Sequence, residues 1–141
     1  MGRQQGYLRQ QGYLDGHFVM SVGEGEGRAS QDVRVPPVVR VPLEVAASAR
    51  ARSRGLLGRT GIEGAILLTR TSSVHTLGMR FAIDVAFLDR ELRVLAVRTM
   101  PPSRLALPRR GARHVMEAEV GSWARWGVRP GVSVRVAGPA A

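Results

Sequence analysis

The sequence predicts a mainly β protein, a small β-sandwich or barrel with one short N-terminal helix and a second helical turn. Six or seven short apolar runs are rich in β-branched residues or alternate with a period of two, which is typical of strands. Glycine, proline and aspartate clusters separate these runs. Only one segment has clear helical spacing, so sheet packing must supply the core.

The first elements of the domain are two predicted strands with a helix between them. The run "VVRVPLEV" is β-branched and alternating, and its Pro42 predicts an edge strand or a bulge. In "ASARARSRGLLGR" the apolar spacing is helical, Ser48 is placed to cap the start and Gly58 to end the helix. The run "GAILL" then predicts a short buried strand.

The middle of the chain predicts a central hairpin. In "FAIDVAFLD" both alternating faces are largely apolar, which indicates a strand with neighbours on both sides. The tetrapeptide "DREL" predicts a hairpin turn, and "RVLAVRTM" predicts the partner strand. The next thirteen residues, "PPSRLALPRRGAR", predict a long connection that lines a site or covers a barrel end.

The C-terminal part predicts two more strands around a helical turn. "HVMEAEV" alternates as a strand, with Glu117 on the face opposite Met116. "GSWARWG" predicts a single helical turn capped by Ser122 and closed by Gly127. The Pro130-Gly131 pair predicts a type II turn before a last strand, "VSVRV".

The ends of the chain differ in composition from this domain. The hexamer "RQQGYL" occurs twice, at residues 3–8 and 9–14, and a Gly/Glu/Ser stretch follows it. We therefore predict a disordered extension over residues 1–35 that carries no chemistry, a single β-rich domain over 36–137 and a tail over 138–141.

Composition excludes several function classes. The chain has 141 residues and no cysteine, so it forms one domain without disulfides, thiol nucleophiles or thiolate metal ligands. All 21 basic residues are arginine and the net charge is +10. Aromatic residues do not interleave the two arginine clusters, so nucleic-acid binding is not favoured; the clusters are Arg50/Arg52/Arg54/Arg59 and Arg109/Arg110/Arg113. No membrane span and no secretory signal is evident, which predicts a cytoplasmic protein.

Five motifs in register are similar to a known family, the bacterial and archaeal domain of unknown function 192. They are "RGLLGR", "GAILL", "VHTLGMRFAIDVAFLD", "HVMEAEVG" and "WGVRPG", and together they cover roughly residues 38 to 137. The resemblance implies a mainly β, sandwich-like domain of jelly-roll character, and it implies no activity.

Three residues match the family pattern, and the chain departs from it elsewhere. Asp84, Arg59 and Glu117 are the matching polar positions. Much of the family has a tryptophan where this chain has His75 and a Lys-Asn pair where it has Leu77-Gly78. The resemblance therefore implies that any polar site in that stretch has been rebuilt or lost in this protein.

Asp84, His75 and Glu117 are the candidate catalytic residues. A carboxylate on a two-sided apolar strand must be hydrogen-bonded or paired, so we expect Asp84 to be anchored by Arg59 or by backbone N–H groups of a helix-end turn rather than to be catalytic. A small hydrolase that uses His75 with Asp84 or Glu117 is the alternative. The three histidines have no metal-binding spacing, so we predict no metal and no cofactor.

The hypothesis we favour is a non-enzymatic binding or accessory domain. Arginine at the rim of a pocket selects an anionic ligand or an acidic protein partner, and Trp123 could form one wall of the pocket. Basic nucleic-acid binding is the second alternative. The predicted ligand-binding residues are Arg59, His75, Arg80, Asp84, Arg104 and Trp123.

Overall fold

The computed structural model describes residues 15–24 and 39–137 of the chain. In these ranges the chain forms nine strands and two short helices. The strands are β1 Gly16–Glu24, β2 Val39–Ala46, β3 Ala65–Leu68, β4 Val74–His75, β5 Ile83–Leu88, β6 Val94–Met100, β7 Leu105–Ala106, β8 His114–Glu119 and β9 Val132–Ala137, and the helices are α1 Ala49–Arg54 and α2 Ser122–Trp126.

Seven strands form one sheet in the order β6-β5-β8-β3-β2-β1-β9, and β4 pairs with β7 in a separate two-stranded ribbon. Within the large sheet β2 and β3 are parallel, and the other neighbours are antiparallel. The sheet curls until its two edge strands meet at one end, where the Val134 N–H donates to the Leu92 carbonyl at 2.9 Å. The predicted mainly β, sandwich- or barrel-like domain is confirmed, and a single curled sheet supplies its layers.

The two faces of the curled sheet bury separate apolar clusters. The inner cluster takes side chains from β1, β2, β3, β5, β8 and β9 and from Trp123 of α2. The outer cluster lies between the opposite face of the sheet, α1 and the β4–β7 ribbon, with Leu56 and Val74 among its buried members. Because β3, β5 and β8 have a cluster on each side, they are buried almost throughout, as the two-sided apolar pattern of "FAIDVAFLD" predicts.

The prediction of a disordered extension is wrong for residues 16–24. This segment is β1, an interior strand paired along its length with β2 and β9. Its Met20 and Val22 are buried in the inner cluster, which gives the strand an apolar face to place against the core. The "RQQGYL" duplication and the rest of the predicted extension lie outside the described residues, as does the C-terminal tail.

Helix α1 begins where the sequence predicts and ends earlier. Ser48 caps it through its hydroxyl, which accepts from the Ala51 N–H at 3.1 Å. The carboxylate of Asp15 also holds this end, because it accepts from the backbone N–H groups of Ala47 and Ser48. The helix stops at Gly55 rather than at Gly58, since Gly55 adopts a positive φ of 47° and donates its N–H to Ala51.

Strand β2 is an interior strand, so the edge position that Pro42 predicts is wrong. The unexpected β1 covers one side of it, and β3 pairs with the other side only from Leu43 onward. Pro42 therefore sits where β3 has not yet begun, and the missing N–H costs no bond to that strand. A Cβ at Gly64, just before β3, would overlap the Pro42 carbonyl oxygen, which explains glycine at that position.

Candidate functional site

Asp84 is a structural anchor inside the curled sheet. Its side chain is 5% exposed on β5, on the face that belongs to the inner cluster. One carboxylate oxygen accepts from the Thr99 hydroxyl at 2.9 Å, and the other accepts from the backbone N–H groups of Gly121 and Trp123 at 3.0 and 3.3 Å. Asp84 thus caps α2, a role that the sequence analysis assigned to Ser122. Both of its carboxylate oxygens accept hydrogen bonds from within the fold.

Arg59 does not pair with Asp84. Its guanidinium forms a bidentate ion pair with Glu44 of β2, with N–O distances of 2.7 and 3.1 Å. This hydrogen-bonded pairing lowers the pKa of the Glu44 carboxyl and raises that of Arg59. Both terminal nitrogens of the Arg59 guanidinium donate to Glu44, so Arg59 has few donors left for a further anion.

Glu117 is a buried polar side chain to which the fold assigns no partner. It lies on β8, on the outer face of the sheet, in one row with Ile66 of β3 and Val85 of β5. It is 5% exposed, and no hydrogen bond or ion pair joins its carboxyl group to a residue in the described ranges. Burial therefore raises the pKa of Glu117 from 4.5 to about 7.

A small cleft opens beside this carboxyl group, and we name it the Glu117 cleft. It lies between the C-terminal end of α1 and the ribbon strand β4 and has a volume of about 60 Å³. This is room for a few waters or for one small polar group, not for a whole metabolite. Its lining combines apolar residues with charged ones: Leu56, Leu57, Leu68, Met79, Arg52, Arg54, His75 and Glu117.

Helix α1 ends beside this cleft. The helix ends at Gly55, and a Cβ built there would lie 3.6 Å from the Glu117 carboxyl oxygen Oε2. Glycine at this turn therefore serves the positive φ, since a Cβ there would make only an ordinary van der Waals contact with Glu117. The side chain of Arg52 is held nearby by the carbonyls of Thr69 and Arg70 at 3.4 and 3.3 Å, so no carboxylate neutralises its charge.

The structure brings His75 and Glu117 to one cleft and excludes the His75–Asp84 pair. His75 is exposed on β4, which packs against the outer face of the sheet, whereas Asp84 is buried on the inner face. The sheet itself separates them, because neighbouring residues on a strand point to opposite faces. Of the predicted hydrolase pairs, only His75 with Glu117 shares a site.

The other predicted ligand residues are dispersed. Arg59 lines a separate cleft of about 250 Å³ on the far side of α1, together with Glu44. Arg80 and Arg104 are exposed and line neither cleft. Trp123 is 4% exposed in the inner core, 5.9 Å from the ring of Trp126, so it is a packing residue and not a cleft wall.

His114 is buried for a structural reason. Its Nδ1 accepts the Arg70 N–H at 3.1 Å, which assigns the ring proton to Nε2 in the neutral form. Burial lowers the pKa of His114 from 6.5 to about 4. Within the described ranges no group of three or more histidine, aspartate or glutamate residues is arranged to hold a metal ion.

Sequence reasoning missed Arg52, Arg54 and Leu57 as cleft residues. Arg52 and Arg54 were grouped with a surface cluster, and Leu57 was placed inside the predicted helix. The available signal was Gly55, which follows the last helical arginine, because a glycine there ends the helix before Leu57.

The fold and this cleft define a small β-barrel-like domain with a buried carboxyl group beneath a helix end. The chain belongs to the family of domain of unknown function 192, described as "Uncharacterized ACR", whose family model matches residues 33–136. The resemblance found in the sequence motifs is thereby confirmed.

Curated relatives match a shorter stretch. UPF0127 proteins of Pyrococcus abyssi and Pyrococcus horikoshii are each 40% identical over 50 residues, which is 36% of this chain. The matched stretch spans 43% and 44% of the length of these two relatives.

Two solved structures share the fold. One, from Sinorhizobium meliloti and provisionally described as a transcription regulator, has a TM-score of 0.69 at 17% identity and covers 86% of this chain and 95% of its own. The other, a protein of unknown function from Novosphingobium aromaticivorans, has a TM-score of 0.64 at 20% identity over 83% of both chains. At these identities the likeness concerns the fold alone.

Among the described residues, neither helix has the length and apolar character needed to cross a membrane.

Proposed function

We propose that this domain binds a small acid at the Glu117 cleft and that binding, not catalysis, is its activity. The observation that carries the proposal is the Glu117 carboxyl group, which is buried, lacks a partner among the described residues and borders an open cleft. A carboxyl group that is buried without a partner lowers the stability of the fold, whereas leucine there would not carry this cost. A ligand that hydrogen-bonds to the carboxyl supplies the missing partner.

The chemistry of the cleft selects an acid group. Arg52 and Arg54 bring two positive charges to its rim, and no acidic residue in the described ranges neutralises them. With a pKa of about 7, Glu117 is protonated in mildly acidic solution and donates a hydrogen bond to one oxygen of a bound carboxylate or phosphate. The volume of about 60 Å³ admits the acid group, and the rest of the ligand extends over the rim.

The direct test is a titration of the full chain with acetate and with inorganic phosphate, followed by two-dimensional amide NMR. We expect the largest shifts at Gly55 and His75, which line the cleft together with Glu117. Binding should be about tenfold weaker at pH 8 than at pH 6, because most Glu117 side chains then carry a charge that repels the anion. Affinity equal at both pH values would contradict the role of Glu117.

Two variants and a matched control sharpen the result. Arg54→Ala should weaken binding, and Glu117→Gln should remove its pH dependence while keeping a hydrogen-bond donor in the cleft. Arg125→Ala removes an equally exposed arginine from α2 and should leave binding unchanged. The same loss of affinity in Arg54→Ala and Arg125→Ala would mean that only general surface charge attracts the anions.

A hydrolase remains the second candidate, because His75 and Glu117 line one cleft and a carboxyl group with a pKa of about 7 suits proton transfer near neutrality. Turnover of p-nitrophenyl acetate or p-nitrophenyl phosphate that is lost in His75→Ala would favour this function over simple binding. Nucleic-acid binding stays the second alternative from the sequence. A cytoplasmic location and independence from cofactors stay predictions from the sequence.

A further inference from the structure

Four leucine side chains on or near the β4–β7 ribbon are exposed. Their exposed fractions are 38% for Leu57, 54% for Leu77, 63% for Leu105 and 75% for Leu107. Single exposed leucines are ordinary on protein surfaces, and a group of them indicates a contact site.

The backbone places them side by side. A Cβ at Gly78 would lie 3.2 Å from Cδ1 of Leu57, so Leu57 lies beside the residue that follows Leu77. His75 and Leu105 face each other across the β4–β7 ribbon. Leu107 lies two residues beyond Leu105 and is exposed on the same side, while Ala106 between them is buried. We call Leu57, Leu77, Leu105 and Leu107 the leucine surface.

The charge around the leucine surface has one sign. Residues 64–83 and 92–116, which form the ribbon and its connections, contain no aspartate or glutamate. Arg54, Arg80 and Arg104 flank the leucines and are exposed. None of the three forms an ion pair with an acidic residue in the described ranges. A partner must therefore supply both apolar contacts and negative charge.

We infer that the leucine surface docks an acidic segment of another protein, one that carries apolar side chains among its carboxylates. A second copy of this chain is disfavoured, because each copy has a net charge of +10. Residues 1–14 carry two arginines and no acid, so they do not complement the surface. Nucleic acid matches the charge but not the leucines, since bases stack on aromatic side chains.

The leucine surface, with its flanking arginines, shares Leu57, Leu77 and Arg54 with the lining of the Glu117 cleft, but its chemistry and the residues that test it differ from those of the proposed acid site. The acid site depends on Glu117 and Arg54 within the cleft, whereas docking depends on Leu105 and Leu107, which lie on β7 and beyond it, outside the cleft lining. A contact over four leucines and their arginine rim is small, so we expect a transient complex with strong salt dependence.

Selection from a display library tests the inference without a known partner. Random 12-residue peptides are selected on the immobilised full chain, and the leading peptide is measured by fluorescence anisotropy at 50 and 500 mM NaCl. We expect the selected peptides to be enriched in Asp or Glu together with Leu, Ile or Phe. Binding should weaken by at least about tenfold at the higher salt concentration.

Paired variants identify the surface. Leu105→Ser/Leu107→Ser should weaken the leading peptide by about tenfold or more, and Arg80→Ala/Arg104→Ala should remove most of the salt dependence. Val120→Ser and Arg125→Ala change one exposed apolar and one exposed basic residue elsewhere and should have no effect. Because the changed leucines are exposed, thermal melting should show that the double variant remains folded.

Three results would overturn the inference. One is that no peptide is enriched, or that enriched peptides have no excess of acidic residues. Another is that the leucine double variant binds the leading peptide as tightly as the unchanged chain. The last is that a 20-nucleotide single strand or a phosphatidylserine vesicle binds more tightly than the peptide and with the same dependence on Leu105 and Leu107, which would assign the surface to that partner.

Discussion

Replacing Glu117 by glutamine should stabilise the protein at alkaline pH and have almost no effect in acid. Burial raises the pKa of Glu117 from 4.5 in the unfolded chain to about 7 in the folded protein. Between these pH values the folded state holds a proton that the unfolded state has released, so the free energy of unfolding falls as pH rises from 4.5 through 7. A shift of this size corresponds to about 3 kcal/mol once both states are ionised.

Glutamine has nearly the same shape as glutamate and does not ionise, so it escapes this cost. We expect Glu117→Gln to be about 3 kcal/mol more stable than the unchanged chain at pH 8 and nearly equal to it at pH 4.5. Urea unfolding followed by circular dichroism at both pH values measures the difference, provided that the slope against urea concentration does not change.

The matched control is Glu63→Gln, which removes an exposed carboxylate from the loop before β3. It should change the unfolding free energy by no more than about 0.5 kcal/mol at either pH. If Glu117→Gln and the control behave alike, the Glu117 carboxyl is hydrated in solution and the argument that it lacks a partner fails. The proposed acid site would then lose its main support.

Three further predictions concern the anchors of the fold. Asp84→Ala should lower the free energy of unfolding by about 3 kcal/mol or more, because three buried or half-buried donors lose their acceptor, and urea unfolding measures the loss. Burial lowers the pKa of His114 from 6.5 to about 4, so between these pH values the unfolded chain binds a proton at His114 and the folded protein does not. The free energy of unfolding therefore falls as the pH falls through this range. His114→Gln should therefore remove up to about 3 kcal/mol of the stability loss between pH 6.5 and 4, and an unchanged acid transition would refute this. Arg59→Ala should cost less than about 1 kcal/mol, and the cost should shrink in 1 M NaCl, because its pair with Glu44 is about one-third exposed.

Local pattern was sufficient for the longer strands of the predicted domain, whereas the short strand β7 lies in the run predicted as a long connection, and β4 was not predicted as a separate strand. The two-sided apolar run of β5 and the β-branched run of β2 indicate buried strands, because their apolar side chains must face a core. Strand β1 was missed although Phe18, Met20 and Val22 alternate in it. The polar repeat before it and the Gly/Glu stretch after it outweighed that short signal, and only pairing with β2 and β9 makes the segment a strand.

The sequence indicated which residues were candidates for a site, but it did not indicate which residues would pair with one another. Asp84 was expected to be anchored by Arg59 or by backbone N–H groups of a helix-end turn, and its backbone donors instead come from the start of α2, far along the chain. Arg59 was expected to pair with Asp84 or to bind a ligand, and it instead pairs with Glu44, which was not foreseen. Sequence distance carries no information about which face of a curled sheet a side chain meets.

The sequence by itself determined that this protein is mainly β and where its principal strands run. It also indicated that an acidic residue on an apolar strand is costly unless it is paired. Alternation and turn residues act locally, so they can be read along the chain. The tertiary structure alone decided that Glu117 and His75 share a cleft while Asp84 lies on the inner face of the sheet. That choice depends on strand order and register, which set the face of each side chain relative to residues distant in sequence.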